Sequence, residues 1–202
     1  MDAQAAARLG RDGYVIVPDA LGRRQIESLL SAFEAAPADG GTQHVRIDDT
    51  VAEHEAWRSL TQQEAIVEVA AQILGTVATA GDVHGRNPLP GYGQQGLHSD
   101  WLPRSRGEPF TVVTAIVMLD AFSAENGATR IVPGTHLIPT PIPKSYAQPL
   151  ARHPDELLAT GAAGSILIMN GHLWHSGTRN ASRGPRRAAQ VSIRRAGAKA
   201  TG

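Results

Sequence analysis

Ser165-Ile-Leu-Ile-Met-Asn-Gly-His-Leu-Trp-His-Ser-Gly177 is the stretch on which the fold turns. Its first five residues, Ser165 to Met169, are an apolar run of strand character. Asn170-Gly171 breaks the run, and two histidines, His172 and His175, follow at once. Runs of the same kind flank it. Val112 to Leu119 and Thr129 to Val132 read as strands, and Ala188 to Ile193 as a last one. Near the start, Gly13-Tyr-Val-Ile-Val-Pro18 is a β-branched run closed by proline, again a strand. Short strands at regular intervals, broken by Gly, Pro and Asn, point to a mainly β protein built as an antiparallel barrel or sandwich.

Two helices are expected ahead of most of this β-rich part, packed on one outer face. The first runs from about Arg23 to Ala36, with Ile26, Leu29, Leu30 and Phe33 at helical spacing and Pro37 ending it. The second runs from about Gln62 to Leu74. Thr61 and Glu64 have the spacing of a capping box, and Gly75 suits a C-terminal cap. Asn87 to Gly96 and Pro133 to Pro154 read as long loops. Neither a repeat nor a break in composition marks a second domain, so residues 1–202 read as one domain whose helical part, about 1–75, lies against the barrel.

Composition narrows the function classes. Hydrophobic residues make up 42% and charged residues 19%, as in a globular protein. Nineteen Lys and Arg balance nineteen Asp and Glu, which argues against a nucleic-acid or anionic-membrane partner. With no cysteine there is no disulfide, thiolate metal site or cysteine nucleophile. Met1 to Gly10 lacks the pattern of a signal peptide, and no apolar run approaches a membrane span. The expected location is the cytoplasm. Eight histidines are the available nitrogen ligands for a metal.

Leu97-His98-Ser99-Asp100-Trp101 places an imidazole and a carboxylate two residues apart. On a strand both point to the same side. A further histidine from a distant strand completes a three-ligand face on an octahedral ion, with the remaining positions open, an arrangement suited to Fe(II) oxygen chemistry. His175 is the candidate and His172 its rival. His-x-Asp alone also fits a turn or a surface pair, and a single histidine also fits a structural role.

Several segments occur together and in order: Asp12-Gly-Tyr-Val-Ile-Val-Pro-Asp19, Gln95-Gly-Leu-His-Ser-Asp-Trp101, Met118-Leu-Asp-Ala-Phe122 and Glu125-Asn-Gly-Ala-Thr-Arg-Ile-Val-Pro-Gly-Thr-His136. Gly164-Ser-Ile-Leu-Ile-Met-Asn-Gly171 and His175-Ser-Gly-Thr-Arg-Asn-Ala-Ser-Arg-Gly-Pro-Arg-Arg187 complete the set. With these the chain resembles the phytanoyl-CoA dioxygenase family of Fe(II)/2-oxoglutarate oxygenases, apart from about Ala36 to Val83. The resemblance implies a double-stranded β-helix, a jelly-roll or cupin-like barrel with the metal inside. It implies His98, Asp100 and His175 as catalytic metal ligands, His175 being the histidine that keeps the family spacing to Asn180 and Arg186. Fe(II), 2-oxoglutarate and O2 are the implied cofactors.

The resemblance also assigns cosubstrate contacts. Arg186, eleven residues after His175, matches the arginine that pairs with the distal carboxylate of 2-oxoglutarate. A guanidinium fork suits that task through parallel charge-assisted hydrogen bonds. Arg187 is its rival, since neighbours on a strand face opposite sides. Asn87 matches an amide near the cosubstrate, or is a turn residue. Thr114 touches a cosubstrate carboxylate, or is a β-former. Ser176 follows the distal histidine, whereas the family often has a hydroxyl two residues after it, where this chain has Gly177. Tyr92, Trp101 and Trp174 wall the substrate pocket or belong to the core. Gln43 to Asp49 and Leu137 to His153 are expected to supply further substrate contacts.

The implied reaction hydroxylates a small-molecule metabolite, free or tethered to a carrier or to CoA, with release of succinate and CO2. Related halogenases lack the carboxylate that Asp100 supplies. Desaturation, epoxidation or cyclisation would use the same ligands. Two other readings are a jelly-roll module that binds metal and carboxylate without turnover, and a cupin-like enzyme that uses no 2-oxoglutarate.

Overall fold

A computed structural model describes residues 3–46, 55–76 and 78–198. Helix α1 (Ala3–Asp12) opens the chain and leads into strand β1 (Tyr14–Val17). Helix α2 (Arg23–Glu34) follows, then strands β2 (Ala38–Asp39) and β3 (Thr42–Arg46). Helices α3 (Glu55–Arg58) and α4 (Glu64–Leu74) precede β4 (Ala78–Pro88), β5 (Val112–Met118) and β6 (Thr129–Val132). The last strands are β7 (Leu157–Ala159), β8 (Ile166–Asn170), β9 (Trp174–Ser176) and β10 (Ala188–Arg195).

All pairings among these strands are antiparallel. A seven-stranded sheet runs in the order β1-β8-β5-β10-β4-β3-β2, and a three-stranded sheet in the order β7-β6-β9. Together they form the double-stranded β-helix expected of the sequence. Period-two alternation sorts the side chains of the large sheet. Val113, Ala115 and Val117 of β5, Ile166 and Ile168 of β8, and Ala189, Val191 and Ile193 of β10 turn outward, where Leu29, Phe33, Trp57, Ile66, Val69 and Leu74 cover them. Thr114, Ile116 and Met118, Leu167 and Met169, and Ala188 and Gln190 therefore turn toward the small sheet. Ile116, Met118, Leu167 and Met169 pack there with Phe122, Ile131 and Leu173. No helix among the described residues is long and apolar enough to cross a membrane.

The helices and strands read from the sequence are present; the structure adds α3, β2, β3, β7 and β9 to them, and three further differences have a physical reason. Residues 3–10, for which no element is expected from the sequence, lie in α1. Thr61 does not cap α4: Gln63 is the N-cap, its side chain accepting from Ala65 and Ile66 N–H, while the Thr61 hydroxyl donates to the Arg58 carbonyl. Gly75 ends α4 in the left-handed region at φ 64°, as expected. The third difference is β4. Ala-Thr-Ala-Gly-Asp-Val-His-Gly-Arg-Asn-Pro has weak strand propensity, yet it is an interior strand between β10 and β3.

Gly85 shows why β4 tolerates this composition. A Cβ there would lie 2.6 Å from Phe33 Cζ and 2.6 Å from Trp57 Cη2, so the absence of a side chain lets the helix layer pack onto the strand. Gly85→Ala is expected to lower stability by about 1–3 kcal/mol through overpacking. Gly10→Ala, in α1 with nothing near its Cβ, is expected to be neutral or stabilising by up to about 1 kcal/mol. Denaturant midpoints of the two variants check this, and equal midpoints would contradict it.

Candidate metal and carboxylate site

The site begins with a backbone contact. His98 N–H donates to the His175 carbonyl at 3.0 Å, and His175 N–H donates back to the His98 carbonyl at 2.9 Å. Residues paired in this way stand directly opposite and present their side chains on one face. The two rings lie 4.6 Å apart between centroids. Asp100, two residues beyond His98, faces the same side, and its N–H is fixed to the Gly171 carbonyl at 2.8 Å. One donor atom from each of His98, Asp100 and His175 lies within 4.8 Å of the others.

Each of these side chains is oriented by a further contact. His175 Nδ1 lies 2.8 Å from the Leu173 carbonyl, and His98 Nδ1 lies 3.1 Å from the Gly96 carbonyl. Both Nδ1 atoms face carbonyls and are the donors, so Nε2 is the atom each ring would turn to a metal ion, which at His175 would take the place of the proton that Asp100 favours there. Asp100 Oδ2 accepts from the Thr114 hydroxyl at 2.5 Å, while Oδ1 lies 3.5 Å from His175 Nε2. Burial alone would raise the Asp100 carboxyl. The charge and hydrogen bond of His175, with the Thr114 hydroxyl, outweigh burial and hold it below the usual carboxylate range. Burial would lower His175, but Asp100 raises it overall; burial and the neighbouring His175 lower His98. Two imidazoles and an ionised carboxylate on one face fit a divalent ion of the Fe(II) type, with positions left open.

A cavity of about 140 Å³ adjoins these donors, lined also by Arg86, Gln95, Ile116, Arg186 and Gln190. Arg186 is the feature that gives it polarity. Its side chain is buried, with 7% of the residue exposed. Its Nε has no hydrogen-bond partner, and no carboxylate pairs with it among the described residues. The guanidinium stacks over Phe122 at 4.7 Å, which leaves its edges toward the cavity. Burial, aided by the nearby Arg86, pushes its pKa down to about 10, so it stays a cation at neutral pH. Arg187 points to the other side and is paired bidentately with Asp120 at 2.9 and 2.8 Å. The structure thus separates the two neighbouring arginines.

The other sequence candidates fall in different places. His172 turns away from the triad, its ring beside Phe110 at 5.8 Å. Thr114 reaches Asp100 rather than the cavity. Asn87 does not line the cavity either: its carbonyl oxygen accepts from Arg186 N–H at 3.1 Å and its amide donates to Gln43 at 2.6 Å, so it fixes the backbone of Arg186. The Ser176 hydroxyl accepts from Arg130 Nε at 2.6 Å, on the face opposite His175. Gly177 does line the cavity. A Cβ there would lie 2.7 Å from the Gly93 carbonyl, which is why no hydroxyl-bearing residue fits at that position.

Tyr92 is 53% exposed at the outer rim, in a cleft that shares Arg86, Gln95 and Arg186 with the metal cavity. Trp174 is buried against Leu97 and Val132, away from the triad, and Trp101 is half-buried outside the cavity lining. Of the expected substrate segments, Gln43 to Arg46 form part of β3, and 47–49 lie outside the described residues. Arg86, Gln95, Ile116 and Gln190 were not singled out from the sequence. The alternation of β5 and β10 could have found Ile116 and Gln190.

Comparisons with known proteins give the family and the fold. Residues 9–188 match the family model Phytanoyl-CoA dioxygenase (PhyH), and the chain belongs to that family. It is 26% identical to dioxygenase af480 of Aspergillus fumigatus, covering 91% of this chain and 63% of that protein. It is 28% identical to dioxygenase trt7 of Aspergillus terreus, over 94% of this chain and 72% of the relative. The fold is similar to that of HygX from Streptomyces hygroscopicus, solved with nickel, 2-oxoglutarate and hygromycin B, with TM-score 0.79, 16% identity and coverage of 98% and 88%. It is also similar to the α-ketoglutarate-dependent epimerase SnoN from nogalamycin biosynthesis, with TM-score 0.74, 22% identity and coverage of 95% and 82%.

The Thr114 hydroxyl donates to Asp100, one of the three candidate ligands. Thr114→Val is expected to weaken divalent-metal affinity by about 10–100-fold, whereas Thr114→Ser retains it. Competitive titration against a metal chelator measures this, and an unchanged affinity in the valine variant would count against the role given to Thr114.

Proposed function

We propose that the protein is a non-haem Fe(II)/2-oxoglutarate-dependent oxygenase that hydroxylates a small-molecule metabolite, with residues 1–202 acting as one domain. One observation carries the reading. A face of two histidines and a carboxylate shares its cavity with a buried guanidinium that pairs with no carboxylate among the described residues.

His98, Asp100 and His175 would hold the metal, and Arg186 the distal carboxylate of the cosubstrate. Bound there, Fe(II) with 2-oxoglutarate and O2 supplies the oxidising power, yielding succinate, CO2 and an oxidised substrate. The chain's own residues bind, orient and exclude. Thr114 fixes which oxygen of Asp100 faces the ion. Asn87 sets the backbone from which Arg186 projects, and Phe122 restricts its rotation. Ile116 supplies apolar wall beside the donors, so charges there are poorly screened and a carboxylate is held strongly. No side chain of the site needs to act as a general base.

Dioxygenase relatives in fungi, and structural neighbours solved with hygromycin B or acting in nogalamycin biosynthesis, support a metabolite as substrate. The cleft at Tyr92 leaves one side of the cavity open, which suits a free substrate or one tethered to CoA or a carrier. The presence of Asp100 favours oxygen transfer over halogenation, while desaturation, epoxidation and cyclisation remain outcomes of the same site. The absence of cysteine fits a cytoplasmic setting.

The test is turnover. Protein reconstituted with Fe(II) under air is expected to form succinate from 2-oxoglutarate, faster when an accepted metabolite is added, and His175→Ala is expected to form none above background. Iron-loaded protein that binds 2-oxoglutarate but never consumes it, with any metabolite of a broad panel, would point instead to a non-catalytic binding module.

A further inference from the structure

The inner face of the large sheet continues past the metal cavity. Residues directly opposite in antiparallel pairs share a face. Ile116 pairs with Gln190, Gln190 with His84, and His84 with Arg46, so one cross-strand row leads from two cavity residues to Arg46 on β3. The neighbouring row runs Met118, Ala188, Arg86, His44. Two strand spacings, about 10 Å, separate the backbone of Gln190 from that of Arg46.

Along this face lies a groove of about 360 Å³ that His44, Arg46, His84 and Arg86 help to line. That is the size of a small-molecule pocket rather than of a macromolecular interface. Its chemistry is one-sided. Neither Arg46 nor Arg86 makes an ion pair among the described residues, and His84 Nε2 is buried without a hydrogen-bond partner. Asp82 is the acidic residue in the lining, and its carboxylate is taken by Arg194 at 2.8 Å. In a chain with no net charge, two arginines without an acidic partner on one face form a local excess, and the two histidines beside them add hydrogen-bonding nitrogens rather than charge. Arg186 lies deeper and is the group placed for 2-oxoglutarate, so this outer set is left for something else.

We infer that the groove holds the anionic end of the substrate, a carboxylate or a phosphate group, with Arg46 and His84 as its recognising side chains. The assignment rests on the oxygenase reading above and adds the substrate class: a small acid or phosphate ester whose charged end sits about two strands from the cavity floor. Arg86, shared by groove and cavity, marks where substrate and cosubstrate meet.

The experiment uses full-length protein loaded with Zn(II), which is redox-silent, and saturated with 2-oxoglutarate so that Arg186 is engaged. Inorganic phosphate and acetate are titrated separately, and backbone amide NMR shifts are followed at residues 44–46 and 82–86. Saturable shifts confined to these amides are expected. Affinity is expected to fall by about tenfold or more in Arg46→Gln, the loss for one charge-assisted hydrogen bond, and to recover in Arg46→Lys. Tighter binding of phosphate assigns a phosphate ester, and tighter binding of acetate a carboxylic acid. If 2-oxoglutarate binds but neither anion moves these amides, or if Arg46→Gln binds as wild type does, the substrate assignment is overturned while the oxygenase reading stands. If 2-oxoglutarate itself fails to bind, the oxygenase reading falls and the assignment falls with it.

Discussion

The site depends on one reciprocal pair of backbone hydrogen bonds, between His98 and His175. It is an isolated bridge, so the segment carrying His98 and Asp100 has no long strand of its own to hold it. The pairing makes two histidines seventy-seven positions apart into direct neighbours and settles their common face. Asp100 then follows from strand alternation alone. Other contacts brace this short pairing. Gln95 N–H donates to the Gly177 carbonyl at 3.1 Å, and the Gln95 side chain accepts from Gly177 N–H at 3.2 Å. Arg130, 2% exposed, joins Ser176 on β9 to the Gln95 carbonyl at 2.8 Å and to Glu156 at 3.2 Å. Its charge is satisfied within the protein, so its role is to tie together the segments that carry His98 and His175.

Arg186 presents the opposite case. A buried cation without a counter-ion is costly, because burial removes its hydration without returning an ion pair. Contact with Phe122 offsets part of that cost, and the adjacent Arg86 adds to it. A bound dicarboxylate would relieve the rest. The neighbouring arginine shows how alternation divides two like residues: Arg187 closes an ion pair with Asp120 outside the cavity, and Arg186 lines the cavity without one.

Much of this was legible in the sequence, for identifiable reasons. Ile166 to Asn170, Val112 to Met118 and Thr129 to Val132 are β-rich runs whose pattern coincides with their burial, so their strands were read nearly to the residue. The meeting of His98, Asp100 and His175 was legible because the first two lie two apart and because the family resemblance, through its spacing to Asn180 and Arg186, selects His175 over His172. What escaped notice shares one cause. The β3–β4 pair owes its place to neighbours rather than to propensity, with Gly85 admitting Phe33 and Trp57, so Arg86 and His84 could not be assigned to a face. Thr114, Asn87 and Ser176 stood out as polar residues near the ligands. Their partners, Asp100, the Arg186 backbone and Arg130, are set by tertiary contacts that no local pattern encodes.

The central claim is that metal face and guanidinium act together on one dicarboxylate. Anaerobic calorimetric titration of 2-oxoglutarate, with and without one equivalent of Fe(II), in wild type and in Arg186→Met, tests it most directly. The account predicts one-to-one binding to iron-loaded wild type and much weaker binding without iron. It predicts a loss of about 100-fold in Arg186→Met, as expected for removal of a bidentate charge-assisted contact. Binding that is indifferent to iron, or undiminished in Arg186→Met, would contradict it.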